Sequence, residues 1–305
     1  MKKTFLADLS LLLVALCWGA TFVMVQKAVS ILDPITFNAI RFTLAFAFLI
    51  LWLFLFERKL LRTLNWKLCL SGMMMGLWLF IGYAFQTIGL LYTTSANAGF
   101  ITGLSVVLVP LFAALFLKHK PSINSIIGVF IATFGLHFLT MKNSTQLNTG
   151  DGLVFFCAIS FAIQIILTSK YSKHYSTLLL TIIQIGTAAL FSSFYALLFE
   201  DWHQIFRKNV IFDKSVIVAL FITAIFATAL AFIAQTNFQK FTTPTRVALI
   251  FSMEPVFAAI TAYFWNDEQL SSSAFIGCLF IFTGMIFSEL PIKKTFLSVK
   301  KGKAV

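Results

Sequence analysis

Charged side chains are scarce in this sequence. Asp, Glu, Lys and Arg make up only 11% of its 305 residues, whereas soluble domains carry about 25%. Hydrophobic residues make up 59% and the mean hydropathy is +0.92, so a water-soluble fold of this size could not cover its surface with polar groups. Cysteine, proline and glycine number only 4, 6 and 15, which excludes a disulfide scaffold, collagen and proline-rich disorder. The class that remains is the integral membrane protein.

Long apolar runs account for most of the chain. A membrane-spanning helix needs about 20 mostly apolar residues, and ten runs meet this requirement: 7–29, 34–56, 67–90, 94–117, 122–141, 151–170, 177–199, 214–238, 243–265 and 271–290. The connections are short, so no soluble domain is left over. The first run follows two lysines, as a signal peptide does, but its length and the lack of a convincing cleavage site favour a span. Because the runs are continuously apolar rather than alternating, a β-barrel is not expected.

Basic residues fall mainly on one side of the predicted membrane. If the N-terminus is cytoplasmic, 17 of the 23 Lys and Arg residues lie on the inner side. The others are Lys27, Lys142, Arg207, Lys208 and Lys214 on the outer side and Arg41 within a span. Positive charge marks cytoplasmic loops, so we expect both termini on the inner face of the cell membrane. The net charge of +12 then reports orientation and contact with the lipid bilayer, and no nucleic-acid partner is expected.

The second half of the sequence repeats the first. Most matches share an offset of 149 residues, and the prolines match at 145: Gln86-Thr87 with Gln235-Thr236, Thr93-Thr94 with Thr242-Thr243, Gly128 with Gly277, Gly135 with Gly284, and Pro110 with Pro255. Earlier spans match more weakly: Asp8 corresponds to Asp151, and Arg41 corresponds to Gln184. We therefore divide the chain into a first repeat at 1–145, a second repeat at 146–292 and a basic cytoplasmic tail at 293–305.

Five spans in each repeat give the two halves opposite orientations, because an odd number of crossings inverts the second half. Inverted repeats occur in many secondary transporters, in which the binding site lies between the halves. We therefore predict an all-α integral membrane protein with ten transmembrane helices arranged as two inverted five-helix repeats.

Short motifs are distributed along both repeats. They are WGATF at 18–22, RF at 41–42, AFQTIGL at 84–90, SANAGF at 95–100 and VALIFSMEP at 247–255. In order and spacing they resemble the drug/metabolite transporter superfamily, EamA type, over essentially the whole chain. The resemblance implies a ten-helix, pseudo-symmetric transporter of the cell membrane, often an exporter of metabolites or drugs. It leaves the substrate open, since members handle amino acids, sugars, nucleotide derivatives and toxic cations.

Two ionisable residues are expected inside the membrane, where a charge is costly and usually pairs or lines a wet cavity. Glu254 lies near mid-depth in the ninth span, next to Pro255, whose ring removes a helix hydrogen bond and can break the helix. Glu254 is either a proton carrier or counter-ion for a cationic substrate, or a structural partner of Arg41 or Arg246. Arg41 either clamps a substrate carboxylate or snorkels to the outer interface. Pro110 is the matching helix break of the first repeat.

Other polar and aromatic residues within the spans are candidates for contact with a substrate or ion. Each could instead pack or form a hydrogen bond between helices. They are Trp18, Thr21, Tyr83, Gln86, Asn97, Ser105, Gln235 and His137. Gln86 and Gln235 are related by the repeat and could face each other across its axis.

The repeat and the sparse buried polar residues predict a secondary active transporter. It would work by alternating access and export a small metabolite such as an amino acid, or toxic compounds, with protons as a coupling ion. The chain has no Gly-x-x-x-x-Gly-Lys-Ser/Thr motif and its four His residues lack metal-ligand spacing, so we expect no enzyme, cofactor or metal site. A channel-like protein or lipid scramblase with a polar groove is the alternative, and both a monomer and a homodimer remain open.

Overall fold

The computed structural model of this protein describes residues 2–93, 95–118, 121–140, 148–207, 210, 212–266 and 272–289. Within these residues the regular structure is helical throughout. The α-helices are α1 Lys2–Val29, α2 Pro34–Phe56, α3 Trp66–Gly89, α4 Ser95–Gly103, α5 Ser105–Phe116, α6 Ile123–Thr140, α7 Thr149–Tyr171, α8 Thr177–Phe199, α9 Lys214–Ala224, α10 Ala231–Gln239, α11 Pro244–Phe251, α12 Glu254–Asn266 and α13 Ser272–Glu289. A π-helical segment, Ile225–Leu230, joins α9 to α10, and short 3-10 helices lie at Arg58–Thr63 and Trp202–Phe206.

Polar residues between the apolar runs fix where the helices begin. The side chain of Asn65 accepts a hydrogen bond from the backbone N–H of Leu68 and caps α3. Asn148 and Asp151 form a reciprocal capping box at the start of α7. Each of these contacts satisfies backbone N–H groups that have no partner within the helix. The apolar runs therefore become helices whose ends coincide with the polar connections.

Seven helices in the described part of the chain are long and apolar enough to cross a membrane. They correspond to seven of the ten predicted runs, with ends that differ by up to four residues, and α2 and α8 have the predicted bounds. Two further runs correspond to the shorter apolar helices α6 and α13, and the run at 243–265 is divided into α11 and α12. A multi-span, all-helical protein is thus confirmed in outline, and the number ten stays a prediction.

Helices from the first half of the chain pack mainly against helices from the second half. Helix α3 contacts α7 and α8, α2 contacts α8, and α1 contacts α10 and α12. Helices α6 and α13 form the largest contact between two helices, and glycines allow their backbones to touch. A Cβ atom at Gly128 would lie 2.6 Å from the carbonyl oxygen of Gly284, and one at Gly135 would lie 2.6 Å from that of Gly277.

The outer surface of the helices is strongly apolar. Large side chains such as Phe130, Phe194 and Phe264 are exposed there, as expected for a surface that meets lipid rather than water. Polar side chains gather instead between the two halves, among them Arg41, Gln164 and Gln235. This arrangement places the functional chemistry in the interior.

Candidate functional site

A partly open cavity lies where the two halves meet. Its lining comes from both halves: Trp18, Thr21, Phe22, Val25, Arg41, Leu79, Tyr83, Gln86, Leu90, Gly99, Thr102, Gly103, Ser105, Phe161, Gln164, Ile165, Phe232, Gln235, Phe251, Glu254 and Pro255. Along α1 and α3 these residues extend toward the C-terminal ends of both helices. The cavity therefore reaches from the middle of the helical bundle toward that side.

Two interrupted helices meet at this cavity. The first break is at Leu104, between α4 and α5, and the second is at Ser252–Met253, between α11 and α12. Helix α11 packs against α5, and α12 packs against α4. Directly after the two breaks, Ser105 is the first residue of α5 and Glu254 is the first residue of α12. Both residues line the cavity. Broken helices at membrane depth are tolerated where they line a cavity, because their free backbone groups need polar partners.

The two prolines differ in their relation to these breaks. Pro255 lies in the first turn of α12, and its ring is close to the backbone of α4: Cβ atoms added at Gly99 and Gly103 would lie 3.5 and 3.6 Å from it. Pro110 lies inside α5, six residues beyond the break at Leu104, and does not line the cavity. The prediction that Pro110 marks the helix break is therefore wrong in position. Its missing N–H disturbs only the adjoining turn.

Arg41 is turned into the protein. Its side chain is 2% exposed; Nε donates to Oγ1 of Thr228 at 2.6 Å, and an Nη nitrogen approaches the Tyr83 hydroxyl at 3.3 Å. The guanidinium carbon lies 4.6 Å from the centre of the Tyr83 ring, a distance typical of a cation–π contact. The alternative in which Arg41 snorkels to the outer interface is therefore wrong, because its partners hold it at the wall of the cavity.

The π-helical segment supplies part of this arrangement. A π-helix pairs each N–H with the carbonyl five residues earlier and is often found at functional sites. Here the carbonyl oxygen of Ala227 accepts a hydrogen bond from Nε1 of Trp18 at 2.8 Å and lies 3.4 Å from an Nη nitrogen of Arg41. The segment thus orients both an aromatic ring and the cation.

The Glu254 carboxylate faces the cavity without a fixed partner. Among the described residues, no side chain or backbone group forms a hydrogen bond or ion pair with it. Arg246, one of the two partners considered from the sequence, forms an ion pair with Asp8 instead. Arg41 lines the same cavity but is held by neutral groups. The cavity therefore contains a basic and an acidic side chain that form no ion pair with each other.

Amides, hydroxyls and aromatic rings complete the walls. Nε2 of Gln86 donates to Thr102 at 3.3 Å, and Nε2 of Gln235 donates to Oε1 of Gln164 at 3.2 Å. The ring centre of Trp18 lies 5.3 Å from that of Phe232 and 5.0 Å from that of Phe251, and the Tyr83 ring lies 5.2 Å from the Phe161 ring. These distances are typical of aromatic pairs in a packed wall. Polar groups can thus orient a bound molecule while rings contact its apolar part.

Most of the residues predicted from the sequence come together here. The predicted residues that line the cavity are Glu254, Arg41, Trp18, Thr21, Tyr83, Gln86, Ser105, Gln235 and Pro255. His137 does not: its side chain is on the exposed face of α6, with its ring next to that of Phe138. The prediction that His137 binds a substrate or ion is not supported by this position. The side chain of Asn97 lies outside the described residues.

Several lining residues were missed by sequence reasoning, notably Gln164 and Phe161. The repeat contained the signal that could have found them. Asp8 and Asp151 are 143 residues apart, and the same offset relates Thr21 to Gln164 and Trp18 to Phe161. The Thr21–Gln164 and Trp18–Phe161 pairs both line the cavity. Thr228, the partner of Arg41, was also missed, because its role depends on the π-helical segment.

Comparisons with known proteins agree with this architecture. The EamA-like transporter family matches residues 5–141 and again residues 148–290. An uncharacterized transporter of Archaeoglobus fulgidus is 34% identical over 290 residues, which cover 95% of this chain and 88% of the relative. The uncharacterized transporter YoaV of Bacillus subtilis is 19% identical, with 96% of this chain and 99% of the relative covered.

A solved crystal structure shares the fold. It superposes with a TM-score of 0.75 at 19% identity and covers 92% of this chain and 96% of its own. Together with the apolar helices described above, the two family matches and the transporter relatives make this a multi-pass membrane protein related to transporters. The chain belongs to the EamA-like transporter family.

Proposed function

We propose that this protein is a secondary active transporter that exports a small zwitterionic metabolite, such as an amino acid with an apolar side chain, by alternating access. One observation carries the proposal: Arg41 and Glu254 line one cavity with no ion pair between them. An isolated buried charge is costly, so a ligand of opposite charge is favourable at each. A molecule with both a carboxylate and an ammonium group meets both requirements.

The aromatic wall defines the rest of the proposed substrate. The rings of Phe232 and Phe251 both contact the ring of Trp18, and all three residues line the cavity. Apolar and aromatic surface of this kind provides affinity without a fixed hydrogen-bond pattern, while the few polar groups fix orientation. We therefore expect amino acids with apolar or aromatic side chains to bind better than strongly polar ones.

The inverted repeat supports alternating access. The family matches the chain twice, and α2 and α8 both have 23 residues, with first and last residues 143 positions apart. The two helix breaks, at Leu104 and Met253, are 149 positions apart. We infer ten spans in two inverted halves, with repeats at 1–145 and 146–292. Such a pair of halves has two nearly equivalent arrangements, one open to each side.

The Lys and Arg distribution supports an orientation with both termini in the cytoplasm. In that orientation the C-terminal ends of α1 and α3, toward which the cavity extends, lie on the outer side, and we propose that the cavity opens there. Protons entering from outside would neutralise Glu254 and weaken its hold on an ammonium group. Release of substrate on that side in exchange for a proton is the direction of export.

The experiment is counterflow in proteoliposomes with phenylalanine as the probe. Vesicles loaded with unlabelled phenylalanine should accumulate labelled phenylalanine, and unlabelled phenethylamine, which lacks the carboxylate, should compete weakly. A pH gradient with the acidic side corresponding to the outside of the cell should drive efflux. Uptake that does not saturate and ignores internal substrate would contradict a carrier and favour the channel-like alternative.

A further inference from the structure

Gln184 is a buried polar side chain with no partner. It lies in α8, is 0% exposed, and neither Nε2 nor Oε1 has a hydrogen-bond partner among the described residues. A buried amide without partners carries an unrecovered desolvation cost, and such groups in native structures require an explanation. The surrounding helices of the present conformation do not provide one.

Gln184 is the counterpart of Arg41 in the second half. The two are 143 residues apart, as are the ends of α2 and α8. The buried positions of the two helices coincide at this offset: 36, 37, 38, 39, 41, 42, 45, 49 and 53 in α2, and 179, 180, 181, 182, 184, 185, 188, 192 and 196 in α8. The equivalence is therefore structural as well as sequential.

A second contact repeats in the same way. The side-chain nitrogen of Asn38 approaches the carbonyl oxygen of Tyr83 at 3.4 Å, and the hydroxyl of Thr181 approaches the carbonyl oxygen of Phe232 at 3.5 Å. Asn38 and Thr181 are 143 positions apart, and Tyr83 and Phe232 are 149 positions apart. The surroundings of Arg41 and Gln184 are thus built on the same plan.

The two surroundings differ in how closely the helices approach. Arg41 lies at the cavity, and its partner Thr228 belongs to the π-helical segment. The position equivalent to Thr228 is Leu79 of α3, which offers no hydrogen bond. Helix α3 is pressed against α8 there, because a Cβ atom at Gly76 would lie 2.4 Å from the carbonyl oxygen of Gln184. Arg41 therefore lines the cavity, whereas Gln184 lies at the contact between α3 and α8 and does not line it.

We propose that Gln184 lines the substrate cavity in the conformation open to the opposite side, where it takes the polar role that Arg41 has in the present one. The inference rests on the proposed alternating access. When α3 separates from α8, the amide of Gln184 would gain water and substrate as hydrogen-bond partners. The cost of burying it in the present conformation would then favour switching.

Cysteine accessibility tests the proposal without knowledge of the substrate. In a chain with Cys17, Cys69, Cys157 and Cys278 replaced, Gln184→Cys and Arg41→Cys are treated with an impermeant methanethiosulfonate from each side of oriented membrane vesicles. We expect Arg41→Cys to react from the side of the C-terminal end of α1, and Gln184→Cys to react from the opposite side. Ser192→Cys is the matched control: Ser192 is also 0% exposed and unpartnered on α8, but its counterpart in α2, Leu49, does not line the cavity. It should react from neither side.

Three results would overturn the proposal. The first two are no reaction of Gln184→Cys while Arg41→Cys reacts, and reaction of both from the same side. Equal reaction of Ser192→Cys would also overturn it, because the labelling would then reflect loosening of α8. If phenylalanine is not transported but the labelling follows this pattern, only the proposed substrate fails. If transport occurs and Gln184→Cys stays unreactive, only the role of Gln184 fails.

A second variant covers the case in which Gln184→Cys does not fold. Gln184→Leu removes the unpartnered amide from the present conformation and the polar contact from the other. The equilibrium should shift toward the present conformation by roughly ten-fold, seen as faster labelling of Arg41→Cys. Ser192→Ala should leave that rate unchanged. An unchanged rate in Gln184→Leu would contradict the proposal.

Discussion

Replacing Thr228 with valine tests whether Arg41 must be held in one orientation. Valine has nearly the same shape as threonine but cannot accept the hydrogen bond from Arg41 Nε, which is 2.6 Å long and lies between fully buried groups. The guanidinium keeps its charge and its contact with the Tyr83 ring. The substitution therefore changes the direction of the donors while leaving the electrostatic potential of the cavity almost unaltered.

The magnitude follows from the single hydrogen bond that is lost. A hydrogen bond to a charged group contributes about 1.5–3 kcal/mol, and each 1.4 kcal/mol is a factor of ten in affinity. Part of the loss falls on the stability of the free protein, so phenylalanine binding should weaken by roughly 3- to 30-fold. Phenethylamine, which has no carboxylate, should bind the variant and the wild type equally.

The assay is isothermal titration of purified protein with both compounds. Thr223→Val is the matched control: Thr223 is also 0% exposed and belongs to the same span, but its hydroxyl donates only to the carbonyl oxygen of Leu220 in its own helix. This control should not change phenylalanine binding. Equal weakening of phenylalanine and phenethylamine by Thr228→Val would refute the assignment of Arg41 to a carboxylate.

Three further predictions concern coupling and packing. Glu254→Gln should slow phenylalanine counterflow in proteoliposomes, because the ammonium group loses its charged partner, and should abolish the acceleration by a pH gradient. An unchanged pH dependence would remove Glu254 from the coupling mechanism. Gly135→Ala should lower the free energy of unfolding by about 1–3 kcal/mol, because its Cβ would lie 2.6 Å from a backbone oxygen. The control Gly152→Ala should leave it unchanged, since no atom lies within 4 Å of the added Cβ. Both are measured by thermal unfolding in detergent. Glu200→Ala should cost about 1–2 kcal/mol in the same assay, because its carboxylate accepts from the N–H groups of Ile35 and Thr36 at the start of α2; a loss below the error of the assay would contradict this role.

Composition and the length of the apolar runs predicted most of the helices, because the formation of these helices depends on the local sequence. The run at 34–56 and helix α2 have the same bounds, since Pro34 begins the helix and the charged residue Glu57 follows its last residue. The break at Leu104 was not predicted, because its neighbours Gly103 and Ser105 are residue types that also occur inside uninterrupted helices, as Ser71 and Gly72 do in α3. That break is a property of how α4 and α5 cross α11 and α12.

The direction in which a side chain points was harder to predict than its depth. Arg41 was correctly placed within a span, but only its contacts with Thr228 and Tyr83 show that it faces inward. His137 was also placed within a span, yet it faces outward. When a helix is apolar on every side, the periodicity of its sequence does not show which residues face the protein interior. The repeat carried more information, since it relates Thr21 to Gln164 and Arg41 to Gln184.

The glycine contacts between α6 and α13 limit how the halves can move. Residue 128 lies opposite 284 and residue 135 opposite 277, so the two helices run antiparallel with their backbones touching at two points. A shift of one helix along the other by one residue would place a side chain against a carbonyl oxygen at both points, which dense packing does not allow. Rotation about the line of contact meets no such obstacle. If the halves move as proposed, we expect this pair to act as a pivot: the distance between α6 and α13 should stay constant while distances across the cavity change.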